Sequence, residues 1–442
     1  MKQYIVEYYA GNVASGKKKP EDAAESKADE LDFKEEFGGE WKNVVVERAG
    51  RGPVHICRLP APVTASLFRI SGICNQGLPR QHWDTHISEV ELYESRWPTA
   101  GGSSLRSYHA GSGGPDEKLT VGKPILGGGR FAQTTPAFAN GTLYLAKGDA
   151  MHAVRLEDLG ENWAFKIKDY KAIQSSPTIA GNLVLFGGDD YELRAVDCDT
   201  GDLAWSFATE FKITGSPCVV GNKAIAGSAD GFVYAVDLKT GAPLWKYEAG
   251  QPISASVAAD SDTVYFGSFN RQVQALDANS GTNRWIFKTG GAIRSGVAVA
   301  EDAVYVGSDD GQVYAVDKVS GTQLWTQKTG GYIEAVPAVD DRAVYIGSVD
   351  GIFRALDRKT GAALWTMDVK SPIRHAALVL GEQIFFYADD SILRQVNRRT
   401  GNQHAQVNLP YPGLTDITPV GASLFLGMRY GYCAITQENE KK

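Results

Sequence analysis

Short apolar runs cut by Gly, Asp or Asn fill the chain from residue 119 onward. In residues 332–369 the pattern predicts four strands: YIEAVPAV, AVYIGS, IFRALD and AALWTMDV. Each run is β-branched or aromatic, and each connection (DDR, VDG, RKTG) carries residues that tolerate tight turns. A short strand, a turn and another strand, continued without a helical period, predict an all-β protein.

The pattern repeats. GFVYAVDLKTGAPLW at 231–245 returns as GQVYAVDKVSGTQLW at 311–325 and as GIFRALDRKTGAALW at 351–365. Asp197, Asp237, Asp277, Asp317 and Asp357 stand forty apart, and Asn397 continues them. The glycines 201, 241, 281, 321, 361 and 401 keep the step, and Trp205, Trp245, Trp285, Trp325 and Trp365 follow four residues after. Gly160 and Trp163 make an earlier, looser copy. A forty-residue unit of four short strands suits a propeller blade. The Asp-x-x-(Thr/Ser)-Gly corner reads as turn chemistry, with Asp bonding backbone amides and Gly left-handed, in preference to calcium ligation. An indole on the fourth strand is too large for one sheet and is expected to dock on the neighbouring blade, making the five tryptophans structural. Ala195, Ala235, Ala275, Ala315 and Ala355 offer a small residue beside it, and Gln395 and Ala405 replace the Ala and the Trp together in the last copy.

This motif resembles the quinoprotein-like, or PQQ-like, β-propeller repeat, over about residues 119–437. The resemblance implies eight blades, and first strands beginning near Gln133, Ser175, Gly215, Ala255, Ser295, Ala335, His375 and Asp416 agree. The last unit ends at GYCAI, 431–435, without a fourth strand, and KLTVGKPIL, 118–126, is free to supply it. The ring would then close with no open edge.

The first residues do not repeat. EWKNVVVE, SLFRISGI and HISEVELYE read as strands, and the last two resemble the C-terminal half of discoidin-type (coagulation factor type C) domains. The expected organisation is an incomplete discoidin-like β-sandwich of jelly-roll type at 1–98, a Gly/Ser linker at 99–117, the propeller at 118–437 and a polar tail at 438–442. Residues 16–36 are charged and nearly without apolar period, an exposed insertion or a frayed helix. The chain has no secretory leader at Met1. The family implies the periplasm, the cell envelope or secretion, so a truncated N-terminus is expected.

Composition narrows the chemistry. The net charge of −7 supplies no basic field for nucleic acid, and no eighteen-residue apolar run is present to span a bilayer. Cys57, Cys74, Cys198, Cys218 and Cys433 are widely spaced with no CxxC, so metal, covalent haem and dithiol chemistry are unsupported and buried thiols are expected. Ile173, Ile213, Ile253, Ile293, Ile333 and Ile373 keep the forty-residue step, whereas the following residues vary: Gln174, Thr214, Ser254, Arg294, Glu334 and Arg374. Positions that vary inside a strict repeat are where a ring places a site. With His375 and Asp416, and with Asn270, Arg271, Tyr332, Arg429 and Tyr430 on the same side, they make a candidate polar funnel for a sugar, an anion or a peptide. The competing reading is a salt-bridged rim. Family dehydrogenases carry adjacent cysteines, an acidic calcium site and a catalytic aspartate, and this chain has no adjacent cysteines and no aspartate that can be matched to the catalytic one. The sequence therefore favours a monomeric, non-enzymatic binding or scaffolding protein without catalytic residues, metal or cofactor. Its partner is a glycan or a protein, and its N-terminal module is a carbohydrate or surface binder. The alternative is a PQQ-dependent oxidoreductase acting on a sugar or alcohol.

Overall fold

The structure is a computed structural model that describes residues 119–122, 125–126, 134–420 and 423–437, and seven earlier strands by their backbone alone. The chain divides into two compact units, Met1–Glu94 and Ser95–Lys442.

In the first unit, Glu7–Tyr9, Val54–Arg58, Val44–Arg48 and Asp29–Leu31 form one sheet in that order, and Phe68–Ile70 pairs antiparallel with Val90–Leu92. The strands expected in EWKNVVVE, SLFRISGI and HISEVELYE are among these. Within the stretch expected as an exposed insertion or frayed helix, 16–36, Asp29–Leu31 is a strand paired with Val44–Arg48; the rest of that stretch, the features that would define a discoidin-like module, most of the linker and the tail lie outside the described residues.

The second unit is a ring of eight antiparallel sheets. Blade 6 is typical: Ala338–Val339 is innermost, then Ala343–Gly347, Ile352–Asp357 and the outer Ala363–Asp368. The two middle strands bury long apolar runs on both faces, because a neighbouring blade covers each side. The outer strand alternates, one face on the next blade and one in solvent. The innermost strand is shorter than the sequence pattern suggests. Pro337 has no N–H for the ladder, and the Ile333 amide already bonds the Ser308 carbonyl of blade 5 at 3.2 Å.

The corner ties blade to blade. Asp317 Oδ1 accepts the Val319 and Ser320 amides at 3.1 and 2.7 Å, and Gly321 follows at φ +70°. A Cβ on Gly321 would stand 2.6 Å from the Trp285 ring of the preceding blade. The Trp285 indole donates to the Lys318 carbonyl at 3.0 Å, and Trp163, Trp205, Trp245, Trp325 and Trp365 repeat the bond at 2.8–3.0 Å. Ala315 and Trp325 are register partners in one blade, and Gln395 and Ala405 are partners in blade 7.

Blade 8 closes the ring. Thr418–Val420, Ser423–Met428 and Gly431–Gln437 come from the C-terminal end, and Leu119–Val121 adds the outer strand antiparallel to Ile435–Gln437. Having no Trp, this seam uses Tyr432: its buried hydroxyl donates to the Ala146 carbonyl of blade 1 at 2.6 Å and meets Thr134 Oγ1 at 2.9 Å. Within the stretch expected as linker, His109–Ala110 runs parallel to Val379–Leu380, a fifth strand on the innermost edge of blade 7. Among the described residues no helix is long and apolar enough to cross a membrane.

Candidate functional site: the loop face of the ring

Connections between blades and turns between second and third strands share one face. The isoleucines fix it: a Cβ on Gly307 or Gly347 would meet Ile333 or Ile373 Cγ2 at 2.2 or 2.1 Å, so each Ile fills the space left by a glycine of the preceding blade. The residue after the Ile is thereby held at the mouth.

Its partner comes from the turn fifteen residues on. Gln174 Nε2 donates to Asp189 at 2.8 Å, Arg294 Nε to Asp309 at 2.8 Å and Arg374 Nε to Asp389 at 3.0 Å. Where the first position is a short hydroxyl residue, the turn carries no carboxylate: Thr214 goes with Ala229 and Ser254 with Phe269. Glu334 goes with Val349 and turns to blade 7, where Arg374 Nη1 donates to it at 2.6 Å and to the Tyr332 hydroxyl at 3.3 Å. Bonds to Tyr332, Glu334 and Asp389 push the Arg374 guanidinium well above its usual range.

His375 lies beside this group. Its ring stacks on Tyr387 with centroids 5.0 Å apart, and its Nδ1 is 3.9 Å from Asp416 Oδ1, which accepts the Ala376 amide at 2.9 Å. Burial lowers the His375 pKa, and Asp416 opposes the shift. Tyr387 donates to the Thr415 carbonyl at 2.5 Å, and burial raises its phenol well above the ordinary value.

Tyr332, Glu334 and Arg374 thus stand together, with His375 and Asp416 as an adjoining pair. The other candidates are apart. Arg294 is committed to Asp309 and lies over the Phe269 ring at 5.1 Å. Asn270 bonds Ser268 and Gln272 in its own turn and the Ala249 carbonyl at the end of the preceding blade, and Arg271 takes a left-handed φ of 63°. Arg429 lies over Tyr430, which meets Tyr411 edge-on at 4.8 Å.

Two features escaped the sequence reading. Asp190, Asp230, Asp310, Asp350 and Asp390 each bond the side chain four residues on: Arg194, Tyr234, Tyr314, Arg354 and Arg394 respectively, at 2.5–2.9 Å. This second forty-residue aspartate series was there to be read. The second is Tyr191, Phe211 and Tyr411, which join Tyr332 and Tyr430, already named from the sequence, as exposed aromatics on this face. Tyr191 and Phe211 stack at 5.3 Å while 39% and 44% exposed, and Tyr332, Tyr411 and Tyr430 are about as open.

The mouth carboxylates are engaged by arginines, Gln174 or the Ala376 amide, while Asp189 Oδ1 and Asp309 Oδ1 are buried without a hydrogen-bond partner, and no three His, Cys, Asp or Glu among the described residues come close enough to hold an ion. The described cysteines lie buried in blades 2, 3 and 8, and none is next to another.

Eight blades, six of them locked to the next by a docked tryptophan, define a propeller of the PQQ-like class. More particularly, the family model described as outer membrane protein assembly factor BamB matches residues 101–285 and 270–423, and the chain belongs to that family. BamB from Moraxella catarrhalis superposes with a TM-score of 0.62 at 20% identity, over 73% of this chain and 99% of that one. Quinohemoprotein alcohol dehydrogenase from Comamonas testosteroni gives 0.66 at 13%, over 79% and 82%. The computationally designed Ika8 protein gives 0.64 at 17%, over 72% and 100%. At such identities the likeness is one of fold. No curated protein matches the chain in sequence.

Proposed function

We infer that the protein is a non-enzymatic scaffold of the cell envelope that binds a protein partner through its loop face. The observation that carries this reading is the row of exposed aromatics, above all the Tyr191–Phe211 stack, beside a mouth whose charges are already paired to one another. Rigid aromatic surface bordered by arginine is the composition of energetic centres in protein interfaces, and ring-shaped scaffolds present it without ordering cost. The BamB relative is named as an assembly factor, which supports the envelope location and a protein partner. A monomeric state and a glycan- or surface-binding N-terminal module complete the proposal.

The test is photo-crosslinking from Phe211 and Tyr411 in cells of the source organism, followed by affinity purification of the parent and of a Tyr191→Ala/Phe211→Ala variant. A discrete partner band that the variant loses supports the reading. An unchanged band set refutes the aromatic surface. Titration with PQQ and calcium under a dye-reduction assay decides the catalytic alternative, since saturable turnover of an alcohol or sugar would overturn the scaffold.

A further inference from the structure

The opposite face carries the turns between first and second strands and the Asp-x-x-Thr-Gly corners. One position of the first turn recurs as Asn182, Asn222, Asp262, Asp302, Arg342 and Glu382. In five blades its side chain is engaged. Asn182 and Asn222 donate to Asp197 and Asp237 at 2.6 and 3.3 Å, and Asp262 and Asp302 accept from Arg284 and Arg358 at 3.0 and 2.6 Å. Glu382 accepts from Arg398 and Arg399 at 3.0 and 2.8 Å. Arg342 alone reverses the charge, and its guanidinium meets no hydrogen-bond or ion-pair partner among the described residues.

Arg342 lines a cleft of about 100 Å³ between blades 6 and 7, with Asp340, Asp341, Tyr345, Arg398 and Arg399. The buried acceptor in its wall is committed. Asp340, with 1% of its side chain exposed, accepts the Arg342 and Ala343 amides, the Tyr345 hydroxyl and Arg398 Nη1 at 2.7–3.0 Å. Glu382 takes the other terminal nitrogen of Arg398 and holds Arg399. Arg398 Nε is buried without an acceptor, and Asp341 stands at the open rim, 86% exposed and 3.7 Å from Arg398. What remains unspent is a set of guanidinium N–H donors, five on each arginine before those bonds are counted. The space admits several waters, room for one carboxylate or phosphate group.

We propose that this cleft binds a single oxyanion, a carboxylate or phosphate group, through Arg342, Arg398 and Arg399. The fork of Arg342 meets two oxygens in one plane, and the neighbouring arginines offset the anion's desolvation. The site faces away from the aromatic surface, so it stands or falls separately from the scaffold reading.

Isothermal titration of the full chain with inorganic phosphate and with succinate, at ionic strength held constant with chloride, tests the proposal. Saturable binding of one or both is expected, and Arg342→Gln should weaken it by about tenfold or more while leaving the unliganded Tm unchanged. Arg342→Lys should fall between the two, keeping the charge without the fork. Phosphate binding alone assigns a phosphate group, succinate alone a carboxylate, and both a general oxyanion site. Saturation by neither ligand, or equal binding by Arg342→Gln, overturns it.

Discussion

Each corner glycine answers to a tryptophan in the preceding blade. Gly321 is held at φ +70° and would press a Cβ to 2.6 Å of the Trp285 ring, so two separate restrictions fall on one position. Trp285→Ala should cost about 3–5 kcal/mol. Gly321→Ala should also destabilise, but in the Trp285→Ala background only the backbone cost, about 1–2 kcal/mol, should remain. Denaturant unfolding of all four proteins checks this, the double variant losing less than the sum of the two single losses. His375 makes a prediction about pH. Burial lowers its pKa below 6.5, so the unfolded chain binds the proton more readily than the folded one. Its contribution is therefore full above pH 6.5 and is lost as pH falls from there toward the lowered value. Asp416, Asp389, Glu334 and Arg374 face it, and the first three limit the shift. Melting from pH 7.5 to 5 should show a fall that His375→Gln flattens. The corner carboxylates act in a different window. Arg284 and then Ser280 at Asp277, Ser320 at Asp317 and Thr360 at Asp357 hold these carboxyls below the usual range through hydrogen bonds, so their contribution is lost only below the ordinary 3.8.

At the scale of strands, the seam is the element that decides closure. Leu119–Val121 gives blade 8 its outer strand, and Thr120 Oγ1 donates to the Thr436 carbonyl at 3.1 Å. Residues 128–442 alone should melt well below the parent, because one blade loses its outer strand and exposes an edge; equal melting curves would show that the strand is dispensable. This element was legible in the sequence, since a final repeat without its fourth strand leaves one place to fill. The corner was legible too, because Asp197, Gly201 and Trp205 sit within one turn and the start of one strand. The funnel was legible only in part. Arg374 and Glu334 meet because both follow a repeated isoleucine, whereas Arg294 goes to Asp309, a pairing set by turn geometry. The Arg342 cleft was hidden because its walls lie 58 residues apart at Asp340 and Arg398, on turns of different blades. No periodicity within one repeat reports such a contact.

For the whole molecule, closure makes the blades interdependent. An open stack of repeats frays from its ends, whereas a ring sealed by Thr120, Tyr432 and Thr134 has no free end to begin from. Cys198, Cys218 and Cys433 are buried in blades 2, 3 and 8, and burial pushes the Cys433 thiol to about 12. In a chain with Cys57 and Cys74 replaced by Ser, the three should react with a thiol reagent at one common slow rate, followed by mass spectrometry of the labelled peptides. Faster labelling at Cys433 would mean that blade 8 opens by itself. The seam also sets a clock on synthesis. Thr120 leaves the ribosome 316 residues before the Thr436 it must pair with, which at about 5–20 residues per second is on the order of 15–60 s of waiting. Throughout that interval the nascent chain carries one unpaired strand and a growing arc of finished blades, so its greatest exposure to aggregation and to chaperones falls just before the last strand emerges.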